Sequence, residues 1–138
     1  HTKNLGIKSI GVDGDDSIIR DINEDFYVHD FTKGKFFTNL KFDLCWCVEF
    51  LEHVEEEFIS NYFETFKRCK FVFCTFAPKG KGGYHHVNTQ SEEYWINAFE
   101  RNNFVFKDNE SKKIREASTI NKNFIRDHGL LFKNNHFT

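Results

Sequence analysis

The residues able to do chemistry fall at the ends of short apolar runs. Residues 7–12 (IKSIGV) lead into Asp13-Gly14-Asp15-Asp16, and residues 25–29 (DFYVH) lead into Asp30. A carboxylate directly after a buried strand can accept hydrogen bonds from both hydroxyls of a ribose; the same carboxylate can cap a helix in a solvated turn. Asp30 precedes Phe31, and a carboxylate beside an aromatic face suits an adenine, held by its exocyclic amine and by stacking. An Asp before a surface turn has the same sequence. Residues 42–48 (FDLCWCV) are followed by Glu49 and His53, and residues 71–76 (FVFCTF) by a loop over 77–90 that carries His85 and His86. Glu49, His53, His85 and His86 are the groups that can take a proton from a hydroxyl or an amine, although each histidine taken singly also suits a structural role.

Other constellations point to less. His85 and His86 are adjacent, so on an extended chain they project in different directions and make no two-histidine metal site by themselves. Gly80-Lys81-Gly82-Gly83 lacks the G-x-G-x-x-G spacing of a phosphate loop. The four cysteines, Cys45, Cys47, Cys69 and Cys74, do not form the two C-x2–4-C pairs of a zinc site, and read as buried free thiols in a reducing cytoplasm. No metal is expected.

These residues need elements to hold them. The chain has 138 residues, 19 Lys+Arg against 21 Asp+Glu, a formal net charge of −2 and 18 Phe. That length fits one domain, and the charge balance lacks the basic footprint of a nucleic-acid binder. The Phe excess reads as core filling. Neither a membrane span nor the apolar segment of a signal peptide is visible. Strands are expected over 7–12, 25–29, 42–48, 71–76, 104–107 and 129–133, and helices over 17–22, 55–68, 91–102 and 111–126. The run 42–48 reads as a central parallel strand covered on both faces. This alternation predicts an α/β fold with a mostly parallel sheet and helices on both faces.

The segment Phe42-Asp43-Leu44-Cys45-Trp46-Cys47-Val48-Glu49-Phe50-Leu51-Glu52-His53-Val54 resembles the fourth-strand motif of class I S-adenosylmethionine-dependent methyltransferases. Ile10-Gly11-Val12-Asp13 is similar to the family's second strand with its ribose-binding acid, Asp30-Phe31 to its adenine-contacting position, and residues 129–133 to its antiparallel last strand. The resemblance implies a Rossmann-like sheet and S-adenosylmethionine as cofactor. It implies Gly11 and Asp13 at the ribose, Asp30 and Phe31 at the adenine, and Cys47, Val48 and Glu49 along the methionyl side. His53 would face the reaction cleft, and the loop with His85 and His86 would build part of the pocket for a small-molecule acceptor. The family's glycine-rich turn has no counterpart, so an N-terminally truncated, partial domain spanning 1–138 is expected, with homo-oligomerisation through the sheet edge so left open. A nicotinamide-dinucleotide Rossmann oxidoreductase and a non-catalytic methyltransferase-like domain are the competing readings.

Overall fold

In the computed structural model, which describes residues 5–17 and 26–138, the apolar runs form strands in two separate sheets. Strand β1 (Gly11–Asp13) pairs in parallel with β2 (Phe26–Val28). Gly11 is required there, because a Cβ at this position would lie 2.3 Å from the Phe26 ring. The expected strand over 7–12 is therefore shorter and ends one residue later. The helix expected over 17–22 falls almost wholly on residues 18–25, outside the described residues.

The second sheet contains β3 (Phe42–Cys47), β4 (Cys69–Cys74), β5 (Phe104–Phe106) and β6 (Leu130–Asn134), in the order β3-β4-β6-β5. Strands β3 and β4 are parallel, while β6 runs antiparallel to both β4 and β5. The chain is thus α/β with a mixed, open sheet, and the last strand is antiparallel, the direction that the resemblance implies. The expectation that 42–48 is a central strand covered on both faces does not hold. Among the described residues β3 lies at the sheet edge, and Leu44 and Trp46 on one of its faces are 49% and 56% exposed.

Helix α1 (Ile59–Phe66) follows two 3-10 turns, Leu51–His53 and Glu56–Phe58. Its Tyr62, Phe63 and Phe66 sit three and four residues apart, on one face, and are buried. Helix α2 (Glu92–Arg101) starts where the Ser91 hydroxyl accepts the Tyr94 N–H at 3.1 Å, with Glu92 and Glu93 in the first turn and Arg101 in the last. Both arrangements favour the helix dipole. Phe99 of α2 stacks on Phe132 of β6 at 3.8 Å, and Phe63 packs against Phe99 at 4.8 Å. One sheet face is thereby sealed by α1 and α2. On the opposite face Phe73 stacks on Trp46 at 4.6 Å.

The helix expected over 111–126 is two helices, α3 (Asp108–Ala117) and α4 (Phe124–His128). The Arg126 guanidinium donates to the carbonyls of Ser118, Ile120 and Asn121, satisfying backbone acceptors that the interruption would leave bare. No helix of the described residues is long and apolar enough to cross a membrane.

Candidate functional site at the carboxyl ends of the parallel strands

Parallel β3 and β4 end side by side, and the chain beyond each is tied to the other. The Thr75 N–H donates to the Cys47 carbonyl at 3.1 Å, and the Glu49 N–H donates to Thr75 Oγ1 at 2.9 Å. This second bond holds Glu49 in a left-handed conformation, φ 53°. A non-glycine residue occupies that region at a cost, here offset by a hydrogen bond to a fully buried hydroxyl. The turn Leu51–His53 then anchors through Leu51, which is fully buried.

The loop leaving β4 folds back onto that turn. The Val87 and Asn88 N–H groups both donate to the Glu52 carbonyl, at 2.9 and 3.1 Å, and Asn88 Nδ2 donates to the Val54 carbonyl. These bonds carry His86 up to His53, with ring centroids 5.2 Å apart. Gly83 makes room for His86: a Cβ there would stand 2.3 Å from the imidazole. His85 has φ 52° and its carbonyl accepts from His53 Nδ1 at 3.0 Å. Glu52, His53 and His86 each offer one ligand atom, and these atoms lie within 4.8 Å of one another.

A cavity of about 230 Å³ opens beside this cluster, lined by Glu49, Glu52 and His86 and by Phe124 and His128 of α4. Glu52 is 1% exposed. Burial pushes its carboxyl above the usual carboxylate range, the Glu49 charge pushes it further, and the nearby His53 and His86 oppose the shift. Burial also raises the Cys47 and Cys74 thiols, which keeps them protonated and unreactive. All four cysteines are free.

No protein-family model, curated protein or solved structure matches this chain.

The residues singled out from sequence fall in two groups. Glu49 and His86 line the cavity, His53 packs against His86 and is tied to the His85 carbonyl, and Cys47 and Val48 directly precede Glu49 in the chain. Gly11, Asp13, Asp30 and Phe31 lie at the ends of β1 and β2, bridged by the His29 N–H donating to the Asp13 carbonyl at 2.8 Å. The exposed Asp13 carboxylate accepts the Asp15 N–H. Asp30 caps a 3-10 turn, Phe31–Lys33, by accepting from the Thr32 hydroxyl and N–H; these bonds hold its carboxyl below the usual range. Phe31 is buried, edge-on to Phe50 and Tyr62, so its ring serves the core. Sequence reasoning assigned no role to Glu52, Thr75 or Asn88. The signal present was the Glu52-His53 pair directly after a strand end.

Proposed function

We propose that the chain is a Rossmann-like methyltransferase domain that uses S-adenosylmethionine and acts on a small-molecule acceptor in the cavity beyond β3 and β4. The observation that carries this reading is the convergence of Glu49 and His86 on one cavity, with His53 packed against His86, beyond the carboxyl ends of two parallel strands, where open α/β sheets bind ligands. Two further features support it. The last strand inserts antiparallel between β4 and β5, and the parallel β1–β2 pair ends in two carboxylates.

The residues fit such a cofactor in part. Asp13 is exposed at the end of β1 and suits a ribose diol, and Asp30 at the end of β2 suits an adenine amine, whereas Phe31 is buried, offers no open ring face and has its carbonyl taken by Asn61 Nδ2. Cys47, Val48 and Glu49 would line the methionyl side. The sulfonium, when bound, supplies an already activated methyl group. What the protein adds is positioning of the acceptor, with Glu49 available to accept a hydroxyl or amine proton.

A titration of the chain with S-adenosylmethionine in a thermal-shift assay tests the reading. A saturable rise in melting temperature is expected. Asp13→Ala should weaken calorimetric binding of S-adenosylhomocysteine by about 1–3 kcal/mol. Absence of any saturable shift with the unsubstituted chain would sink the proposal, and unchanged affinity in Asp13→Ala would remove Asp13 from the site.

A further inference from the structure

We propose that Glu52, His53 and His86 form a binding site for a divalent transition-metal ion, with coordination positions open toward the neighbouring cavity. The proposal rests on the geometry of these three side chains and not on the methyl-transfer reading.

The ring orientations carry the first part of the argument. His53 Nδ1 faces the His85 carbonyl at 3.0 Å, and His86 Nδ1 faces the Lys81 carbonyl at 3.2 Å. A carbonyl only accepts, so in both rings Nδ1 holds the hydrogen and Nε2 keeps its lone pair. Backbone carbonyls behind both imidazoles are what metal-ligating histidines use to set their tautomer and aim the other nitrogen.

Glu52 supplies the second, independent part. Its Oε2 is buried and has no hydrogen-bond donor among the described residues. An ionised carboxylate in such a position is costly unless a cation or donors compensate it. Its ligand oxygen and the two ring nitrogens span no more than 4.8 Å. A tetrahedral ion with bonds of about 2.0–2.2 Å sets its ligand atoms about 3.3–3.6 Å apart, so binding would draw the two partly exposed rings inward by about 1 Å.

The donor set selects the ion. Two imidazoles and one carboxylate suit zinc, iron(II), cobalt or manganese, whereas magnesium and calcium favour all-oxygen shells. Three protein ligands leave at least one position for water or a ligand, and the adjoining cavity of about 230 Å³ gives that ligand room.

Calorimetry with zinc(II), repeated with cobalt(II) and magnesium(II) as probes and with no methyl donor present, tests the site. Binding of a single zinc equivalent is expected, with far weaker uptake of magnesium. Cobalt should give tetrahedral or five-coordinate visible bands without the near-ultraviolet charge transfer of a thiolate ligand. His86→Ala and Glu52→Gln should each weaken zinc by more than about tenfold. Gly83→Ala, which leaves all three ligands in place but crowds the His86 ring, should also weaken it while the cooperative melt is retained. Three results would overturn the proposal: no zinc binding, unchanged zinc affinity in folded His86→Ala and Gly83→Ala, or a cobalt–thiolate band that persists in His86→Ala. Each leaves the cofactor titration above unaffected.

Discussion

His128 closes α4 at the rim of the cavity, its ring 5.1 Å from that of Phe76. Burial holds this imidazole below its ordinary value of 6.5; Arg115 and Lys81 act in the same direction, and Asp127 and Glu92 oppose it. In the unfolded chain the ring takes its proton near 6.5, while the folded chain resists until the pH is lower. The unfolded state therefore binds more protons in that interval, and stability is lost as pH falls from 6.5 through the folded pKa. His128→Phe keeps a ring against Phe76 and cannot titrate. Between about pH 7.5 and about pH 5 the melting temperature of the parent should fall further than that of His128→Phe. Equal falls would show that His128 contributes nothing to acid sensitivity.

Helix α2 separates two kinds of stabilisation that a single element can carry. Its cap is one hydrogen bond at the surface, from the Tyr94 N–H to Ser91 Oγ, whereas Phe99 is fully buried against Phe132, Phe63 and Phe66. Urea denaturation should find Ser91→Ala costing about 1 kcal/mol and Phe99→Ala about 3–5 kcal/mol. A reversed order would mean that the α2 end, not its buried face, secures it to the sheet. This helix was legible in the sequence because cap, first-turn acids and apolar spacing all agree. Strand β6 was legible as a short apolar run after Gly129. The edge position of β3 was not, because strand order is set by tertiary pairing that no local pattern encodes. Strand β4 begins at Cys69 rather than at Phe71 because its register is imposed by β3, with Phe42 opposite Cys69. In the site, Glu49, His53, His85 and His86 were readable as reactive groups at strand and loop positions. The part of Glu52 was not, since its burial depends on a returning loop held by Val87 and Asn88.

At the scale of the molecule, the two sheets share no ladder among the described residues, and β3 presents an outer edge with half-exposed Leu44 and Trp46 beside it. An edge with apolar side chains is a template for pairing with another chain. Sedimentation velocity should show concentration-dependent association, and Leu44→Lys should suppress it while changing stability by no more than about 0.5 kcal/mol. A strictly monomeric parent at all concentrations would show that the edge is covered in solution. The same feature has an optical consequence. Of the two tryptophans in the chain, Trp46 is 56% exposed at this edge and Trp95 is fully enclosed in α2. Quencher added to the solvent reaches the first indole and not the second, so emission from one reports what docks on β3 while emission from the other reports the integrity of the core.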